Sequence, residues 1–188
     1  MAGLDVESNQ TGDGEYCERK IMTRGQAQIN GRRGEDRSRQ GSEATRRSVL
    51  IVEDDDRVRE LMSMLMRSEG FDTIELSDGI EALSYLAASE IYRRELRMPD
   101  LIVADINMPT FSGLDLLMGM RESRVRPPVM LVTGETDEEV CQEGRRLGAV
   151  CVVKKPFDVN IFLDAVDQCL AYVAARSEKD VETIDLNS

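Results

Sequence analysis

Histidine and tryptophan are both missing from the 188 residues, and aromatic side chains of any kind make up only 4%. Without histidine the chain can hold no Ser-His-Asp triad, no histidine-ligated zinc and no phosphohistidine. Its chemistry is left to carboxylates, hydroxyls, lysine and thiols. With so few rings, Leu, Val, Ile and ten Met must fill the interior. Thiols are sparse as well. Cys17, Cys141, Cys151 and Cys169 stand apart with no C-x-x-C pair, which gives neither a disulfide framework nor a four-cysteine metal site. Reduced thiols of a cytosolic protein are the expectation. No apolar run approaches the ~18 residues of a membrane span, and the first 30 residues lack the apolar stretch of a secretory signal. A soluble, cytoplasmic chain with no membrane partner follows as an expectation.

Positive charge is in deficit, and unevenly so. The net charge of −12 divides into +1 over residues 1–47, with nine basic and eight acidic side chains, and −13 over residues 48–188, with fifteen and twenty-eight. So acidic a globular part speaks against a duplex-DNA binder, and no specific nucleic-acid partner is expected. Residues 1–47 have almost no apolar periodicity and are rich in Gly, Ser, Gln, Asn and Arg. Such a segment cannot bury enough surface to offset its ordering entropy and reads as a disordered basic and polar arm. Its stretch from Arg19 to Arg47, nine cations against Glu35, Asp36 and Glu43, reads as solvated linker ahead of a contact with nucleic acid or an acidic partner.

From Ser48 the character changes. Val49-Leu50-Ile51-Val52 is a short unbroken apolar run, as in a strand covered on both faces. Residues 57–69 place Val58, Leu61, Met62 and Leu65 at helical spacing, with Gly70 where a helix ends. Phe71 to Leu76 reads as a second strand, and 79–90 as a second helix with Ile80, Leu83 and Leu86. A third strand, Leu101 to Ala104, precedes a helix over 113–123 with Leu114, Leu117 and Met118. A fourth, Val129 to Val132, precedes a helix over 136–147, and Ala149 to Val153 is extended again. Asp158 caps a last helix bearing Phe162, Ala165, Val166, Cys169 and Val173. Met62, Met64, Met66, Met118 and Met120 read as core filler.

Five strands alternating with five helices imply an α/β fold, a parallel sheet with helices on both faces. Right-handed crossovers leave few topologies, of which the flavodoxin-like order 2-1-3-4-5 is one of two common ones. The domain is expected over 48–175, followed by a polar tail over 176–188, with no room for a second, DNA-binding output domain.

In an open α/β sheet, ligands lie beyond the carboxyl ends of the strands. There the first strand delivers Glu53-Asp54-Asp55-Asp56, the third Asp105, the fourth Thr133 and the fifth Lys154-Lys155-Pro156. Clustered carboxylates repel one another and favour a hard divalent cation with oxygen ligands, and Mg²⁺ suits one or two carboxylates plus waters and phosphate. On that reading Asp54 and Asp105 offer side-chain ligands. Asp55 and Asp56 fall to the first helical turn.

From about Ser48 to Leu170 the sequence resembles the receiver domain of two-component response regulators. Glu53-Asp54-Asp55, Asp105-Ile106-Asn107-Met108-Pro109, Thr133-Gly134 and Lys155-Pro156 carry the resemblance, in order and each at a strand end, with Ser112-Gly113 downstream. It implies that Asp105 takes a phosphoryl group from a sensor histidine kinase or histidine phosphotransfer protein, and that the domain then switches its contact with a downstream protein target. The resemblance also implies that the Asn107 backbone carbonyl and, through water, Glu53 complete the Mg²⁺ site, and that Mg²⁺, Lys155 and Thr133 each neutralise or hold one phosphoryl oxygen. Gly134 would leave the phosphate approach open. Of the two lysines, the bond to Pro156 selects Lys155, and the resemblance implies that this bond is cis.

Two departures and one shared pair bear on the likeness. Receivers usually carry Tyr or Phe three residues before the lysine, where this chain has Val152, so a smaller response of the surface around the last two helices is expected. Tyr92 to Arg97 is an insertion of about six residues that would extend the second helix as a basic knob, and it reads as a tolerated insertion ahead of a partner contact. Asn107 together with Glu135 resembles the pair in fast-cycling chemotaxis regulators, which implies rapid self-dephosphorylation. A haloacid-dehalogenase-type phosphatase would need an acid two residues after its nucleophile, where Asn107 stands. A phosphate-independent binding module would lack one of Asp54, Asp105 or Lys155.

Overall fold

A computed structural model of the chain describes residues 46–134 and 138–185, so Glu135 and all but the last two residues of the arm expected over 1–47 lie outside the described residues. Five strands, β1 (Ser48–Val52), β2 (Asp72–Leu76), β3 (Leu101–Asp105), β4 (Val129–Thr133) and β5 (Cys151–Lys154), alternate with five helices. These are α1 (Asp56–Ser68), α2 (Gly79–Ile91), α3 (Gly113–Gly119), α4 (Glu138–Leu147) and α5 (Val159–Asp185), and a single 3₁₀ turn over Met120–Glu122 follows α3. The strands pair in parallel in the order β2-β1-β3-β4-β5, as the alternation of elements leads one to expect.

The period-2 geometry of a strand sends neighbouring side chains to opposite faces, and both faces here are covered. Leu50 and Val52 of β1 join α2, α3 and α4 through Ala82, Leu86, Leu116 and Cys141. Val49 and Ile51 join α1 and α5 through Met62, Met66, Phe162 and Val166. That is why β1, β3 and β4 read as unbroken apolar runs: every residue of each is buried. Each large side chain so enclosed contributes about 1.5–3 kcal/mol.

Helix ends follow local chemistry. The Asp55 carboxylate accepts the N–H groups of Arg57 (2.8 Å) and Val58 (3.0 Å) at the start of α1. Gly70, at φ +88°, ends it, with the Phe71 N–H returning to the Met66 carbonyl at 3.1 Å. Asp158 accepts from the Asn160 N–H at 2.8 Å ahead of α5. That helix continues to Asp185, past the boundary drawn at residue 175, and the inward position expected at Val173 lies outside the described side chains.

Several expected core positions are instead on the surface. Leu61, Met64, Ile80 and Met118 are each between 44% and 54% exposed. On α1 the buried stripe is set by Met62 and Met66, one helical turn apart, and Leu61 lies ~100° round from Met62. Of the methionines read as filler, only Met62, Met66 and Met120 are buried. The insertion does not lengthen α2. Tyr92 leaves helical geometry (φ −102°, ψ 50°), and Glu95 and Leu96 donate back to its carbonyl at 3.0 and 2.8 Å, closing a separate turn. The Tyr85 hydroxyl, bonded to the Arg97 carbonyl at 2.8 Å, holds this turn against α2.

Candidate functional site

Backbone ladders running just past the strands set the positions of the polar residues at the carboxyl edge. Glu53 donates its N–H to the Leu76 carbonyl (3.1 Å), Ile106 to Val132 (2.8 Å) and Lys155 to Thr133 (2.7 Å). Residues 53, 105, 133 and 155, far apart in sequence, are thereby brought to one rim. Gly113 lets α3 close on this rim, since a Cβ there would lie 2.6 Å from the Asp105 carbonyl oxygen.

Within the rim, Glu53 and Asp105 are buried although both are acids. The Lys155 ammonium lies between them, 2.7 Å from Glu53 Oε2 and 3.2 Å from Asp105 Oδ2. Burial pushes the Glu53 carboxyl above its ordinary range; the hydrogen bond from Lys155 opposes this and the Asp105 charge adds to it. For Lys155 burial works against the ammonium, but the hydrogen bond to Glu53 and the charges of Asp105 and Glu53 outweigh it, and its pKa is raised. Lys154 faces outward to Glu138, at 3.7 Å. Of the two lysines, it is thus Lys155 that turns toward the rim carboxylates.

Asp105 Oδ1 is buried with no hydrogen-bond partner among the described residues. Such an atom is costly unless an ion or ligand meets it. Carboxylate oxygens of Glu53, Asp54 and Asp105 all lie within 4.8 Å of one another, Asp54 being the exposed member. This all-oxygen set, with one oxygen unmatched, fits a hard divalent cation. Across the rim the buried Thr133 hydroxyl donates to Asn107 Oδ1 at 3.2 Å. An added Cβ at Gly134 would meet nothing within 4 Å among the described residues. The Lys155–Pro156 bond is cis.

Two aspartates are elsewhere. Asp55 caps α1, and the N–H groups of Val58 and Arg57 draw its pKa down. Asp56 is the first residue of that helix. The helix after Asp105 is capped by Ser112, not by Asp105. One contributor escaped the sequence reading. Arg59 donates to the Glu53 carbonyl at 2.7 Å and pairs with Asp56, bracing the acidic turn. The Asp56/Arg59 spacing of three on a first helical turn was its available signal.

Comparison with known proteins points the same way. Residues 49–167 match the response regulator receiver domain model. The regulatory protein AtoC of Escherichia coli is 34% identical over 130 residues, 69% of this chain but 26% of AtoC. Sporulation initiation phosphotransferase F of Bacillus subtilis is 31% identical over 124 residues, 65% of this chain and 92% of that protein. The solved structure of chemotaxis protein CheY4 of Vibrio cholerae, at 29% identity, superposes with a TM-score of 0.57 over 66% of this chain and 99% of its own.

Proposed function

The chain belongs to the response regulator receiver domain family, and from that premise we propose that Asp105 accepts a phosphoryl group from a sensor histidine kinase or histidine phosphotransfer protein. The observation that carries the assignment is the Lys155 ammonium held on Asp105 Oδ2 while the buried Oδ1 stays unmatched. One carboxylate oxygen is oriented and the other is left to react.

A Mg²⁺ ion would be held by Asp54 and Asp105, with the Asn107 carbonyl and, through water, Glu53. When bound it supplies positive charge against the phosphoryl oxygens. Asp105 forms the new O–P bond as the P–N bond to the donor imidazole breaks, a use of carboxylate nucleophiles seen in aspartyl-phosphate chemistry. Lys155 neutralises a second phosphoryl oxygen, and the Thr133 hydroxyl, turning from Asn107, donates to a third. The reaction is confined to the gain and loss of this group on its own aspartate. Output is assigned to a surface of the receiver that contacts a downstream protein, in the cytoplasm; no described helix is long and apolar enough to cross a membrane.

Mass spectrometry after incubation with a small acyl phosphate and Mg²⁺ tests this. One added phosphoryl group is expected, absent when Mg²⁺ is chelated and absent in Asp105→Asn. An Asp105→Asn protein that gains the group as fast as the parent would overturn the assignment.

A further inference from the structure

The opposite, amino-terminal edge of the sheet is unlike the rest of the domain. Residues 90–100, leading into β3, and residues 120–128, leading into β4, together hold six arginines against Glu90, Glu95, Asp100 and Glu122. The remainder of residues 48–188 holds nine basic side chains against twenty-four acidic ones. Two of the four carboxylates at this edge are already engaged. Asp100 pairs with Arg97 at 3.0 Å and accepts the Ser48 N–H at 2.7 Å. Glu90 accepts the Val125 N–H at 3.4 Å, tying the two loops together. Arg93, Arg94, Arg121, Arg124 and Arg126 form no ion pair among the described residues.

Apolar surface accompanies this charge. Ile91 is 74% exposed and Tyr92 56%, and Val125 and Tyr172 also stand out. The loop over 123–126 divides two troughs. Arg124 and Arg126 line one of about 580 Å³ together with Leu147 and Tyr172. Val125 lines the other, about 480 Å³, with Arg93, Arg94, Leu96 and Met98.

We propose that this edge binds an acidic segment of a partner protein, one whose carboxylates are interspersed with large apolar side chains. Guanidinium forks pair bidentately with carboxylates, and the troughs receive the apolar side chains between them. Arginine and tyrosine over apolar hollows are the composition of protein-binding cores. A nucleic acid is the poorer fit. It needs a longer basic track, and beyond the small excess of six cations over four anions its strand would run onto the acidic remainder. The surface lies a strand's length, ~16 Å, from Asp105. It therefore stands or falls independently of the phosphoryl chemistry.

Fluorescence anisotropy on the full chain tests the proposal, with a labelled peptide of Glu-Glu-Leu repeats, an all-Glu peptide of equal length and a single-stranded DNA oligonucleotide as probes. The Glu-Glu-Leu peptide is expected to bind most tightly, and to weaken by ~10-fold or more in Arg93→Glu/Arg94→Glu and in Arg124→Glu/Arg126→Glu. Both variants should keep the parent's circular dichroism spectrum and melting temperature, which shows that they are folded. Tighter binding of the oligonucleotide, equal peptide binding by folded variants, or self-association of the chain that the same variants abolish would each overturn it.

Discussion

At the scale of single residues, the site is a balance of three acids and one amine. Lys155 joins Glu53 to Asp105, so removing it leaves two buried carboxylates facing each other with Asp54 nearby. Lys155→Gln should cost about 1–3 kcal/mol in metal-free solution, the lower end reflecting the partly exposed ammonium. The same variant should gain more from Mg²⁺ than the parent, because the cation then relieves more repulsion. Thermal melts with and without MgCl₂ read both effects. A variant whose melting temperature responds to Mg²⁺ no more than the parent's would show that the ammonium does not offset the acids.

At the scale of elements, short capping motifs hold the loops around the rim. Ser112 and Asp115 form a reciprocal box at the start of α3: the Asp115 N–H donates to Ser112 Oγ at 3.1 Å, and the Ser112 N–H donates to the Asp115 carboxylate at 2.9 Å. The Ser112 hydroxyl, then its N–H, lowers the Asp115 pKa. A depressed folded-state pKa gives stability that is fully present above the unfolded value and fades as pH falls through the folded one. Asp115→Asn should therefore cost about 1 kcal/mol at neutral pH, and the gap to the parent should close on acidification below the ordinary aspartate range. Urea melts across that range measure the gap; a difference that persists undiminished in acid would mean that the carboxylate charge has no part in the cap. Asp55 does the same service for α1, and Arg59 adds a clamp from the helix back to Glu53.

At the scale of the whole molecule, one sheet separates an edge where Glu53, Asp54 and Asp105 gather from an arginine-rich one. How far a change at the first edge travels depends on the packing of α4 on β4 and β5. Val152 is buried in that core. Gly144 brings α4 so close that a Cβ there would meet Leu131 Cδ1 at 2.7 Å and Val152 Cγ2 at 3.7 Å. Val152, packed in this setting, offers no aromatic ring that could couple the rim to α4. A phosphoryl mimic should shift the amide resonances next to Asp105 and Thr133 strongly, and those of residues 138–153 only weakly. Large shifts throughout α4 would show that coupling runs by another route.

Much of this molecule was legible before any coordinates. Apolar runs at residues 49–52, 101–104 and 129–132 can be satisfied only by strands covered on both sides, and their alternation with helical spacing leaves few topologies. The order of acids, hydroxyl and lysine at the strand ends then named Asp54, Asp105, Thr133 and Lys155. Periodicity was less informative where a helix is amphipathic over a wide arc, and so Leu61 and Ile80 were expected inside and lie outside. Nor could it foresee that residues 92–97 close a separate turn instead of extending α2, since that turn is held by the Tyr85 hydroxyl reaching across to Arg97. Tertiary structure alone decided that Arg59 reaches back to the Glu53 carbonyl, and that two loops thirty residues apart pool their arginines at one edge. The reason is physical. Strand and helix follow from backbone geometry and burial within a dozen residues, whereas contacts between charges depend on which chain ends the folded sheet sets side by side.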